Sequence, residues 1–384
     1  MAEQVRSKKV VVVGGGVLGV STATQLAEAG ASVTVITESG LTSGASGRSL
    51  SWLNSAARRS PEYHLLRVLG IDRYRTLFAR QPGASWLRFD GALSWGGPEG
   101  ADQVRALHEY QRSIGYDSVW VTADEIPAIA PGVDPKAVPA DGATFNPGEG
   151  WVDLPSLVSV LASRLTDAGG VIVENAGPVE VVTKGDRVVG ARTPGGVTYV
   201  ADAVLLATGA NVPRMLAELG SPVDERTPIS VLAHTEPLAL PLKLALNTPR
   251  ASLRPTPDGR LAVDSGWVED HVSRHADGAY EVPGAVVREL LLEASAVLEG
   301  HPELRLASVH IGPKPIPGDG EPVLGAITAV DGLYTAFTHS GATLGLIAGE
   351  LLAAEILSGQ PHPLLAKFTA ARFASTRRAV EGGR

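Results

Sequence analysis

Apolar positions along this chain follow two periods, and the places where one gives way to the other predict its elements. Residues 10–13 are four consecutive valines, a short β-branched run suited to a strand buried on both faces. Three glycines follow, and apolar spacing over 17–26 predicts a helix that stops at Gly30, a natural left-handed terminator. A second strand is expected over 32–38. Similar signals return far along the chain: a helix near 154–168, a strand at 171–174, a hairpin around Gly185-Asp186 and a strand at 203–207. They return again between about 311 and 358, as a strand over 333–338 and a mostly apolar helix over 343–357, stopped by Gly359. Ser60-Pro61-Glu62 combines a capping residue, proline at the first helical position and an early acid. The helix it opens is expected to bury Leu65, Leu66, Leu69 and Tyr74. Residues 86–150 and 221–305 instead alternate short strand-like runs with Pro/Gly turns.

The first turn carries chemistry. Gly14-x-Gly16-x-x-Gly19 takes the chain from strand to helix, placing bare backbone N–H groups and a positive helix end where a pyrophosphate can sit. Glu38 lies 19 residues after Gly19 (38 − 19), near the spacing at which an acid takes the adenosine ribose hydroxyls. An acid there favours a 2′-hydroxyl over a 2′-phosphate, which argues against NADP. The expected fold class is α/β. A Rossmann-like dinucleotide domain is assembled from residues 1–85, 151–220 and 306–384, and a mainly antiparallel β-sheet substrate domain is inserted as 86–150 and 221–305.

Composition narrows the picture. At 384 residues the chain is long for one core, and roughly 150 residues per domain predicts two or three. No stretch of the sequence reads as a membrane span, and the charged start with only four apolar residues before the glycines does not read as a secretion signal. A net charge of −8 argues against a nucleic-acid surface. Arg372, Arg377, Arg378 and Arg384 are expected to form a solvated tail. The absence of cysteine excludes disulfides, thiolate metal sites and thiol nucleophiles, and makes the cytoplasm the default location. No metal-ligand spacing is present. The oligomeric state has no sequence signature.

By itself the first motif suits NAD or FAD. After Glu38, however, the chain enters a small-residue loop over 39–49, rich in hydroxyl and amide donors, with Arg48 able to add charge-assisted bonds to a pyrophosphate or ribityl chain. Ala207-Thr208-Gly209 ends a buried strand and lets the chain pass close beside a cofactor.

Taken in order, these motifs resemble the FAD-dependent D-amino acid oxidase family, which includes glycine oxidase and sarcosine oxidase. The resemblance runs over nearly the whole chain: Gly14 to Gly19, Glu38, residues 42–47, Gly150-Trp-Val-Asp153, Ala207-Thr-Gly209, Gly312-Pro-Lys-Pro315, Asp319-Gly320, Pro322-Val-Leu-Gly325 and His339-Ser-Gly341. It implies FAD as cofactor and a small amine or amino acid as substrate, oxidised at a C–N bond by hydride transfer to flavin N5. It implies Gly14, Gly16, Val17 and Leu18 near the pyrophosphate and Glu38 on the ribose. Ser43, Ser46, Arg48 and Ser49 would line the phosphates and ribityl chain, with Thr208 and Gly209 beside them. Val179 would meet adenine, and Gly341, Ala342, Thr343 and Leu344 the flavin pyrimidine, where a helix N-terminus suits negative charge.

On the substrate side, family members that oxidise amino acids place a carboxylate-gripping arginine where this chain has Lys314, a point charge without the bidentate fork. Thr343 stands where sarcosine-oxidising members have lysine, Asn211 where an aromatic residue is frequent, and Lys243 reads as structural. Trp52 and Asn54 are candidates for the flavin face. His339 reads either as a core histidine or as an acid–base group at the flavin edge. Trp151 reads as core and Asp153 as a helix cap. Two rival readings are an FAD-dependent monooxygenase and a non-catalytic flavin-binding subunit.

Overall fold

The computed structural model describes residues 7–97 and 99–374; Arg377, Arg378 and Arg384 lie outside them. Two large sheets face each other across a cleft. The first has six strands in the order Val323–Ala326, Leu333–Phe337, Ala203–Leu206, Lys9–Val13, Ser32–Ile36 and Val171–Val173, all parallel except the first. Val10 to Val13 are buried on both faces, as a central parallel strand requires. Helices Val17–Glu28, Leu154–Asp167 and Gly341–Ser358 cover one face.

The helix Gly341–Ser358 begins two residues before the expected start at 343. Its 18 residues and mean hydropathy of 1.4 match a short membrane span, yet 61% of them are buried inside the fold. Glycines let its neighbours approach. A Cβ on Gly349 would fall 2.2 Å from Ser21 Oγ and 2.9 Å from the Ser21 carbonyl carbon. A Cβ on Gly345 would fall 2.7 Å from Val17, and one on Gly70 only 2.2 Å from the Thr343 carbonyl oxygen. Three helices are thus keyed together at their glycines.

The helix Pro61–Arg80 is capped by Ser60, whose hydroxyl accepts from the Tyr63 amide. It buries Leu66 and Tyr74 as expected. Leu65 instead is 47% exposed, because the buried face runs through Tyr63, Leu66, Arg67, Gly70 and Tyr74.

The second sheet has eight strands, ordered Leu306–Pro313, Ile229–Thr235, Leu261–Asp264, Ser252–Pro255, Ala245–Asn247, Ala92–Ser94, Ala143–Asn146 and Val119–Val121. Its pairs are antiparallel except Ala92–Ser94 with Ala245–Asn247, where two distant chain segments meet. Strand Leu306–Pro313 pairs along the whole of Ile229–Thr235, so the chain leaves this sheet only after Pro313 and not at 306. Period-2 alternation assigns the two faces. Leu93, Leu246, Leu253 and Val263 form one cross-strand row packed against Val287, Leu290 and Ala294 of the helix Gly284–Ala296. The next row, Thr144, Ser94, Asn247, Ser252 and Asp264, is wholly polar and lines the cleft. It crosses five strands, roughly 19 Å at the usual strand spacing. A small sheet of Trp52–Leu53, Gly150–Val152 and Leu87–Arg88 joins the two halves, with Trp52 opposite the buried Trp151.

Candidate active site

The cleft has a volume of about 810 Å³ and draws its walls from both sheets. The first strand ends at Gly14, whose φ of +122° and contact with the Ala207 carbonyl (2.3 Å from a hypothetical Cβ) admit only glycine. The Gly14 amide donates to the Ile36 carbonyl at 2.8 Å, so this turn is locked onto the neighbouring strand. A Cβ on Gly19 would meet the Gly14 carbonyl oxygen at 2.1 Å, which brings helix and strand into direct contact. The helix that follows has Gly16 as N-cap, with no capping side chain and no acid in its first turn. Val17 donates its amide to Ser46 Oγ at 3.0 Å, which brings the 39–49 loop onto this positive end. Bare glycine backbone, a helix N-terminus and a hydroxyl-rich loop are the donor set a pyrophosphate needs.

Arg48 spans the cleft edge. Its Nη1 donates to the Ser43 carbonyl at 2.7 Å, its guanidinium packs on Gly312, and burial lowers its pKa. Glu38 stands exposed at the rim and Val179 is buried beside it, both on the cleft wall.

The other end of the cleft is built on the first turn of Gly341–Ser358. Gly341, Ala342 and Thr343 line it. Leu344 does not: its side chain is in the core and its amide is bound to the Ser340 carbonyl at 2.9 Å, so it offers a cofactor neither surface nor donor. Thr343 is tied into a polar knot, donating to the Trp52 carbonyl at 3.3 Å and accepting from the Asn54 amide at 3.4 Å. At the centre of that knot lies Arg67, only 3% exposed. It donates to the Asn54 carbonyl at 2.7 Å, to Asn54 Oδ1 at 3.0 Å and to the Ser340 hydroxyl, which also hydrogen-bonds Tyr63.

Trp52 borders the cleft and donates Nε1 to Glu149 Oε2 at 2.7 Å; Tyr116 donates to Oε1 at 2.5 Å and accepts from the Ser55 amide at 2.9 Å. Burial pushes the Glu149 carboxyl up to about 8, against the pull of those two donors.

His339 does not pack as a core residue. Its ring is exposed to the cleft, and desolvation by the surrounding walls, with Lys314, Arg67 and Arg59 nearby, lowers its pKa to about 4. It is therefore a neutral imidazole at pH 7. Lys314 lines the cleft but is ion-paired with Glu269. Asp264 stands beside that pair, raised by burial to about 6.

Fifteen of the sixteen expected cofactor positions thus border one cleft, as do Trp52, Asn54, Lys314 and His339. Asn211 also lines it. Trp151 is buried with its indole donating to the Lys243 carbonyl at 2.8 Å, and Asp153 caps a helix by accepting from the Ser156 amide at 3.1 Å. Arg59, Arg67, Asp264 and the polar row escaped the sequence reading. Arg67 alone had a visible signal: an arginine in phase with the buried stripe Tyr63, Gly70 and Tyr74.

A glycine-turn nucleotide site on a parallel sheet, closed by a second sheet with a polar floor, defines a two-part oxidoreductase. The family described as FAD dependent oxidoreductase matches residues 9–355, and the chain belongs to it. It is 30% identical over 361 residues to glycine oxidase from Pseudomonas putida, covering 87% of this chain and 89% of that protein. It is 27% identical over 383 residues to the oxidoreductase YurR of Bacillus subtilis, covering 92% and 96% respectively. The crystal structure of glycine oxidase from Geobacillus kaustophilus shares the fold, with a TM-score of 0.76 at 24% identity over 95% of this chain and 99% of that one. The protein is an FAD-dependent enzyme.

Proposed function

We propose that this enzyme oxidises a C–N bond of a small amine or amino acid. The observation that carries the reading is the convergence, in one cleft, of an uncapped glycine-turn helix, an uncapped helix start at Gly341 and a polar substrate floor on the opposite sheet. The similarity to a protein named glycine oxidase supports it.

The residues fit FAD. The tight turn at Gly14 and the bare backbone of Gly16, where a Cβ would crowd Ser46 Oγ at 3.1 Å, leave the cleft open to a diphosphate. Ser46, Ser43, Arg48 and Ser49 on its wall would suit the diphosphate and ribityl chain. Glu38 and Val179 on the cleft wall would suit the adenosine, Thr208 and Gly209 the diphosphate and ribityl chain, and Gly341, Ala342 and Thr343 the flavin pyrimidine. Bound FAD supplies a two-electron acceptor for a hydride from the carbon next to nitrogen. The chain's own part is positioning and charge. The dipole of Gly341–Ser358 and the buried Arg67 favour negative charge at that end of the cleft. Trp52 is held by Glu149, and neutral His339 accepts or donates a hydrogen bond without adding charge.

Purified protein is expected to be yellow and to release FAD on denaturation, and an amine or amino acid is expected to bleach it anaerobically. A cleft holding a nicotinamide, or a flavin that no amine reduces across D-amino acids, N-methyl amines and cyclic imino acids, refutes the reading.

A further inference from the structure

Lys314 occupies the place at which a substrate carboxylate would be sought, but its charge is already answered. Its ammonium is ion-paired with Glu269, and Asp264 lines the cleft beside them. One lysine between two carboxylates repels a third.

The opposite corner has the reverse imbalance. Arg59 lines the cleft, and its Nε is buried without a hydrogen-bond partner. Among the described residues no carboxylate forms an ion pair with it; Glu321 acts on it from a distance but lies 3.9 Å from Lys367. Its neighbour Arg58 is directed elsewhere, stacked 4.4 Å over Tyr110 and donating to the Ala106 carbonyl. Arg67 is nearly fully buried and satisfies its donors on Asn54, Ser340 and Thr343, all neutral oxygens. Both guanidinium carbons sit over the same Tyr63 ring, at 4.9 and 5.7 Å from its centre. Two desolvated cations that share one aromatic platform without a counter-ion are costly, and an anion between them relieves that cost.

We propose that Arg59, reinforced by Arg67, is the group that grips the substrate's carboxylate in this enzyme, and that Lys314 is not. The inference rests on the C–N oxidation reading and names the acid end of its substrate. Arg59 brings what a lysine lacks, a planar fork able to hold both carboxylate oxygens. Its place on the loop before Pro61–Arg80 puts the acid end near the helix start at Ser340, leaving the rest of the substrate to face the polar row. A phosphate of the cofactor is a less suitable occupant, because the glycine turn, Ser46 and Arg48 already supply donors for it.

The test is calorimetric titration of the FAD-loaded protein with acetate and with its uncharged isostere acetamide, with flavin difference spectra in parallel. Acetate is expected to bind and acetamide not. Arg59→Ala should weaken acetate about 10- to 100-fold, the range of a charge-assisted bidentate contact. Arg59→Lys should be intermediate, Lys314→Met should change the affinity less than about threefold, and FAD content should be unchanged in all three. An acetate affinity insensitive to Arg59→Ala, a larger loss in Lys314→Met, or no acetate binding to the parent protein overturns the proposal. Failure of the functional reading looks different: no amine or amino acid reduces the bound flavin, while the calorimetric acetate signal still reports on Arg59.

Discussion

Glu149 accepts the Trp52 indole N–H at 2.7 Å from a wholly buried position, so a carboxyl in the core fixes an aromatic side chain on the cleft wall. Burial raises that carboxyl from 4.5 to about 8. Between those values the folded state holds a proton that the unfolded chain has lost, so stability falls as pH rises through this window. Thermal melts from pH 5 to 8.5 should show a downward slope that is shallower in Glu149→Gln. That variant melts lower overall, since its amide N–H₂ meets another donor, but the slope is what decides; equal slopes refute the assignment.

Gly349→Ala tests the keyed helices. Its Cβ would fall 2.9 Å from backbone of Ser21, so the helices must part. A loss of about 1–3 kcal/mol is expected in urea unfolding, the usual cost of overpacking a core. An unchanged midpoint shows that the contact is soft.

Arg254 is 2% exposed, donates to the Leu50 carbonyl at 2.5 Å and faces Asp153 at 3.6 Å. It therefore ties the eight-stranded sheet to the cap of the helix Leu154–Asp167. Arg254→Ala strips both acceptors of their buried partner, and a destabilisation of about 3 kcal/mol is expected from denaturant titration. A loss below 1 kcal/mol counts against this role.

Thr144 behaves oppositely. Its Oγ1 is buried without a partner. Thr144→Val removes an unsatisfied hydroxyl at nearly constant volume, so stability should hold or rise by about 1 kcal/mol. A drop of that size instead means that the hydroxyl is satisfied by a bound molecule.

What was legible in the sequence was local. The glycine turn, its flanking strand and helix and the Ser60 cap each depend on residues within a few positions of one another, so spacing alone reveals them. The cation corner was not legible, because Arg67 finds its partners at Asn54, Ser340 and Thr343, and Lys314 finds Glu269 at the end of the short helix Gly266–Glu269, 45 residues earlier in the chain. The limit set at 306 fell at the start of the strand Leu306–Pro313 and gave it to the wrong half, because no local pattern announces its pairing with Ile229–Thr235. Leu65 looked buried by hydrophobicity, whereas the packed face of its helix runs through Tyr63, Leu66, Arg67 and Gly70 and leaves Leu65 on the outside.

The glycine-keyed helices and the polar row of the eight-stranded sheet answer to different constraints. On one wall a single added methyl collides with backbone; on the other, five side chains each stand on their own strand and can be exchanged singly. A protein built this way can acquire new substrates by repainting its floor while the housing of its oxidant stays as it is.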